Sequence, residues 1–172
     1  MKLLGLSVVT SVVVAVCSIG SEAQSDRQFQ DKAGGFSLAL AGDWRAVTYA
    51  DALGRQKTDF IYRDRSEGLL RVNKDGLGGR QIDDVEREEE ENLRIAKQAF
   101  EQEGKEPFGG GPLHGIRLSF NYVESTRKMS ATYYYLQDGS DLWVLRFTGK
   151  RGVLDRVRNL TDQIARSFRV TR

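Results

Sequence analysis

One cysteine, one histidine and two prolines are spread over 172 residues. The cysteine, Cys17, falls in the first apolar stretch, so the chain beyond it has no thiol. That excludes a disulfide framework, a thiolate nucleophile and a cysteine-ligated metal from the remainder. A metal site would have to be built around the lone His114 with several carboxylates, and no motif calls for one. Net charge is also scarce. The 26 basic and 24 acidic residues leave a formal +2, too little for a general attraction to nucleic acid or an anionic membrane. The Gly-x4-Gly-Lys-Ser/Thr and Gly-x-Gly-x-x-Gly spacings are missing, so no nucleotide cofactor is implied. There is no fixed-period repeat.

What the chain does have begins with Met1 and Lys2, followed by a mostly apolar stretch from Leu3 to Val16. One positive charge ahead of about 14 apolar residues matches a secretory signal peptide. The stretch is shorter than the ~20 residues of a membrane span. Ser21 and Ala23 put small residues at the −3 and −1 positions of a cut before Gln24. Residues 1–23 are therefore expected to be a signal peptide, with a periplasmic or extracellular destination. Val14-Ala15-Val16-Cys17 is a minor alternative, a lipoprotein processing box, with Val16 standing where a smaller residue is usual.

Residues 24–35 are polar and expected to be a flexible N-terminal segment. Residues 36–172 then form one domain. Phe36, Leu38 and Leu40 alternate with Ser37 and Ala39, the period of a strand. Further strands are expected at Trp44–Val47, Lys57–Tyr62 and Gly68–Lys74, each bounded by Gly, Asp, Asn or Ser. Ile82, Val85, Leu93, Ala96 and Phe100 share one helical face. This predicts a helix that continues to Gly104, followed by a glycine-rich loop over Phe108–Gly115. Ile116–Tyr122, Met129–Leu136 and Leu142–Thr148 read as a three-strand meander, turned at Asp138-Gly139. The last of these is apolar at nearly every position and is expected to be central. Val153, Val157, Leu160, Ile164 and Phe168 mark a closing helix after Gly152. Strands, helix, meander and helix in that order argue an α+β fold.

Some of these segments are familiar. Gly35-Phe36-Ser37-Leu38-Ala39-Leu40-Ala41-Gly42-Asp43-Trp44 resembles the "F-x-[ILV]-x-x-P-x-x-W" opening of PsbP-like and DcrB-like domains. Ala41 departs from it, since these families usually have proline there. Tyr134-Tyr135-Leu136, Leu142-Trp143-Val144-Leu145 and Ile164-Ala165-Arg166-Ser167-Phe168-Arg169 resemble their last hairpin and terminal helix. The resemblance implies a twisted antiparallel β-sheet flanked by helices, an α/β/α sandwich. It also implies a non-enzymatic accessory or binding protein.

Candidate site residues follow from charge on the strands. Arg71 and Arg117 lie opposite the apolar faces of their strands, and Arg63 and Arg146 sit in neighbouring strand segments. Arg71, Arg117 and Arg146 could form a basic row which, with Tyr134, would suit an acidic peptide or polysaccharide. The bland alternative is a solvated face with ion pairs to residues such as Asp59 and Glu67. Trp44, Trp143 and Tyr133–Tyr135 are read as core. The acidic run Glu86–Glu91 is read as a solvated helix face, and His114 as a loop histidine without a role. The expectation is an exported binding protein of the bacterial envelope, not an enzyme, partnered by an envelope protein or complex. A carboxylate-based hydrolase and a carrier of a small apolar ligand are the alternatives.

Overall fold

Residues 27–171 are described by a computed structural model; the expected leader over 1–23, with Cys17, lies outside them. Among the described residues there are ten strands and three helices. The strands are β1 (Arg27–Asp31), β2 (Phe36–Leu40), β3 (Trp44–Ala50), β4 (Gln56–Tyr62), β5 (Gly68–Gly76), β6 (Gln98–Gly110), β7 (Leu113–Glu124), β8 (Arg127–Asp138), β9 (Asp141–Lys150) and β10 (Arg169–Val170). The helices are α1 (Ile82–Ala96), α2 (Val153–Arg156) and α3 (Arg158–Ser167). Seven strands form one antiparallel sheet in the order β3-β4-β5-β9-β8-β7-β6, and β1-β2-β10 form a second. The strand read as central, β9, stands in the middle of the larger sheet.

The middle of that sheet is apolar on both faces, and the residue order shows why. Successive strand side chains point to opposite sides. On β8, Tyr134 and Leu136 enter one core cluster, whereas Ala131, Tyr133 and Tyr135 enter the other. On β9, Trp143, Leu145 and Phe147 take the first side, and Leu142 and Val144 the second. The first cluster is closed by β2, α2 and α3 through Phe36, Leu38, Leu154, Ile164 and Phe168. Phe168 stacks on Phe36 at 5.6 Å and contacts Trp143 at 5.3 Å between ring centroids. The second cluster is covered by α1 through Ile82, Val85 and Leu93.

Two expectations are corrected. Residues 27–31, inside the segment expected to be flexible, form β1 and pair with β2. The first helix stops at Ala96, where the Lys97 amide donates to the Leu93 carbonyl at 2.8 Å. The chain then enters β6, which covers residues read as helix and as glycine-rich loop. Register shifts between Gln98 and Glu101, and between Gln102 and Gly104, interrupt the two-residue alternation. The less exposed positions of β6 consequently fall at Phe100, Gly104 and Phe108, four residues apart, which imitates a helical stripe. Ala99, at φ 51°, sits in the left-handed region beside the first shift. Pro107 is tolerated because β6 is an edge strand, paired only with β7.

The acidic run also differs from its expected role. Glu86 is fully buried and ion-pairs with Lys105 of β6. It sits four residues after Ile82 and seven before Leu93, so it lies on the apolar stripe rather than the solvated face. Burial pushes its carboxyl above the ordinary 4.5, against the opposing pull of Lys105. Glu89 and Glu90 are half-buried, whereas Glu88 and Glu91 are exposed.

Phe168→Ala should cost about 3–5 kcal/mol in urea unfolding, because it empties the contact between α3, β2 and β9. A raised folded-state pKa means that Glu86 favours the native state below about pH 4.5 and loses that contribution as pH rises through the folded value. The stability of the natural protein minus that of Glu86→Gln should therefore fall as pH rises above about 4.5. A difference that rises over the same interval would contradict the assignment.

Candidate functional site

The four nominated residues divide between the two faces of the large sheet. Arg117 and Tyr134 are cross-strand neighbours on β7 and β8, beneath α3. Arg117 Nη1 donates to both carboxylate oxygens of Asp162, at 2.8 and 2.7 Å. Its Nη2 donates to Glu106. The Tyr134 hydroxyl donates to Asp162 at 2.5 Å and lies 3.2 Å from the Thr161 hydroxyl. Burial opposes the charge on Arg117, but the Asp162 contacts outweigh it and raise its pKa. Burial, reinforced by Asp162, pushes the Tyr134 phenol up, so it stays a donor. These groups fasten α3 to the sheet.

Arg71 and Arg146 face each other across β5 and β9, on the α1 side. Directly opposed like charges repel, and each has an acid to offset this. Arg146 donates to Glu89 at 2.8 Å and lies 5.4 Å from the Tyr133 ring centre. Arg71 reaches Asp59 at 3.4 Å, and Arg65 reaches the same buried carboxylate at 2.8 Å. Arg63 pairs instead with Asp43 at 3.0 Å, in the turn after β4. The structure thus forms two local pairs, Arg117 with Tyr134 and Arg71 with Arg146, and no single row of all four.

A different feature has the shape of a binding site. The tip of the β6–β7 hairpin meets the C-terminal end of α3 and encloses a cleft of about 520 Å³. Phe108, Leu113, Leu136 and Phe168 give it an apolar floor. Arg166 and Arg169 stand at its rim. The Arg166 guanidinium lies over the Phe108 ring, 4.8 Å from its centre. Arg169 Nη1 donates to the carbonyls of Arg166 and Phe168, at 2.8 and 2.7 Å. Among the described residues, neither arginine forms an ion pair.

The glycines make this shape possible. Gly109 has φ 80°, and a side chain there would meet the Leu113 carbonyl. A Cβ at Gly110 would meet nothing within 4 Å, so that side of the mouth is open. Sequence reading missed the cleft because it joins a hairpin read as a loop to a helix end more than 50 residues away. The available signal was Ser167-Phe168-Arg169, which leads out of α3 with one buried ring between a half-buried serine and an exposed arginine.

A wider groove of about 700 Å³ runs between β1 and the ends of β3 and β4. Two of its cations are already paired, Lys74 with Asp141 and Arg55 with Asp51. His114 is exposed at the hairpin, with Nδ1 3.3 Å from the Gly111 carbonyl. Among the described residues, no three His, Cys, Asp or Glu side chains are grouped to hold a metal. No helix among them is long and apolar enough to cross a membrane.

No family model matches the sequence, and no curated protein matches it. Solved structures do. Cyanobacterial PsbP from Synechocystis is 18% identical, with 88% of this chain and 95% of that one aligned at a TM-score of 0.59. LpqN, involved in cell envelope biogenesis of Mycobacterium tuberculosis, is 11% identical over 86% and 91%, at 0.64. The Saccharomyces cerevisiae Ran-binding protein Mog1p is 9% identical over 84% and 95%, at 0.61. At such identities the likeness concerns architecture, and the architecture agrees in extent as well as kind. The expected class therefore holds: this chain has the PsbP-like α+β fold.

Proposed function

We propose that this chain is an exported accessory protein that binds an envelope partner through the cleft at the end of α3, without covalent chemistry. The observation that carries the reading is the apolar floor bordered by two arginines that no described carboxylate neutralises. An apolar pocket with a few convergent polar groups is the usual form of a binding site. The leader-like residues 1–23 support export, and the envelope role of LpqN, which shares the fold, is in keeping with it. The carboxylate-hydrolase alternative finds less support. The buried acids Asp59 and Glu86 are both held by cations, and neither lines the cleft.

A photo-crosslinker placed at Leu113 should capture a partner in envelope extract, whereas one at exposed Leu53 should not. Charge reversal by Arg166→Glu should reduce the Leu113 crosslink about tenfold, as expected for a charge-assisted contact. Equal capture from both positions, or capture unaffected by the reversal, would refute the cleft as the contact. For export, the chain recovered from bacterial cells should begin at Gln24 on N-terminal sequencing. A folded chain that still begins at Met1 would refute export.

A further inference from the structure

The two margins of the large sheet are finished differently. β6 is broken by register shifts and carries Pro107. β3, at the other margin, pairs with β4 without a shift from Trp44 to Ala50. It contains no proline, and Arg45 is its one charged residue. From Arg45 to Ala50 every residue is exposed except half-buried Val47. A straight, uncovered edge of this kind is a template for a further strand.

The backbone groups that face outward follow from the ladder. Opposed residues of an antiparallel pair alternate between bonded and unbonded. Just before β3 the Arg63 amide donates to the Asp43 carbonyl at 3.4 Å, and just after it the Asp51 amide donates to the Arg55 carbonyl at 2.8 Å. These bonds set the phase. Arg45, Val47 and Tyr49 direct their backbone groups into β4, so Ala46, Thr48 and Ala50 direct theirs outward. Among the described residues, no backbone group pairs with those three from outside. Their small side chains leave the approach clear. The ladder stops at Ala50, where Asp51 turns the chain, short of Leu53.

The sheet face beside this edge is basic. Arg45, Val47 and Tyr49 share it with Lys57 and Asp59 of β4, opposite the core side of Trp44, Phe60 and Tyr62. α1 lies over β6, β7 and β8 and leaves this end of the sheet open. Asp59 is buried and already holds Arg65 and Arg71, at 2.8 and 3.4 Å. The Arg65 guanidinium lies 5.5 Å from the Tyr49 ring centre, next to the edge. Arg45 and Lys57 are exposed and have no ion pair among the described residues. Asp51, the acid closest in charge to Lys57, is paired with Arg55. Two copies joined at β3 would set two such faces side by side, like charge beside like. An acidic strand meets the opposite charge instead.

We infer that β3 receives an extended acidic segment of a partner protein as an added strand. The segment's backbone bonds to Ala46, Thr48 and Ala50, and its carboxylates, at alternate positions, meet Arg45, Lys57 and Arg65. This site lies across the sheet from the β6–β7 hairpin that forms the α3 cleft, and goes beyond the cleft reading without resting on it.

The test is titration of the purified protein with two capped heptapeptides, followed by amide hydrogen exchange. Both have valine or threonine at odd positions; one has glutamate and the other lysine at even positions. The glutamate peptide should bind about tenfold more tightly than the lysine peptide. When bound, it should slow exchange of the Ala46, Thr48 and Ala50 amides about tenfold and leave Val47 and Tyr49, already bonded to β4, unchanged. Thr48→Pro removes an outward N–H, which an edge strand tolerates, and should abolish binding, whereas Thr48→Ala should retain it. If the proline variant fails to fold, the exchange pattern of the natural protein decides. Equal affinity for the two peptides, undiminished binding by a folded Thr48→Pro, or no slowing at the three outward amides would each overturn the proposal. Slowing of those amides without peptide, as protein concentration rises, would assign the edge to a second copy and overturn it equally. Slowed exchange with no crosslink at Leu113 would leave this inference standing and remove the cleft reading; a crosslink without slowed exchange would do the reverse.

Discussion

The structure depends on a single constraint, that β8 and β9 are apolar on both faces and must be covered from both sides. Tyr133, Tyr134 and Tyr135 are consecutive, so neighbouring rings necessarily enter opposite cores. An antiparallel sheet with one face in water could not accommodate them. One side is covered by α1. The other requires more area, and α2, α3 and the small β1-β2-β10 sheet cover it together. The placement of every peripheral element follows from that need.

Polar contacts then set the orientation of those covers. On the α3 side, Asp162 accepts from both Arg117 and Tyr134, which fixes the helix along β7 and β8. On the α1 side, Glu86 meets Lys105, and Glu89 meets Arg146. A buried ion pair is a weak source of net stability but strongly disfavours arrangements that leave one member alone. Here the pairs specify which part of each helix faces which strand. Positioning of α3 also determines where Arg166 and Arg169 stand relative to the hairpin tip, so the cleft inherits its geometry from residues that do not line it.

How much of this could be read from the residues alone varied with the kind of signal. The meander β7–β9 was legible because its alternation is uninterrupted and its turn at Asp138-Gly139 has the expected chemistry. The closing helix was legible as one stripe, although the chain breaks at Val157 into α2 and α3. β6 was not, because its shifts spaced Phe100, Gly104 and Phe108 like a helix. Arg117 and Tyr134 were nominated together and lie on paired positions of β7 and β8, but Asp162, which holds them both, is 28 residues beyond Tyr134. Arg71 and Arg146 also proved adjacent, yet on the other face. Strand periodicity reports which side a residue takes within its own strand. It does not say which face of one strand continues that of another.

The outer edge at β6 carries a further consequence. Its backbone presents unpaired groups along 13 residues, which would ordinarily invite another strand to add to the sheet. Two register shifts twist that margin, Pro107 removes one donor, and Glu101, Glu103, Lys105 and Glu106 crowd it with charge. A second molecule aligning there would find neither a straight ladder nor a neutral surface. The protein can therefore be concentrated in a confined compartment without its sheets fusing from molecule to molecule along this margin.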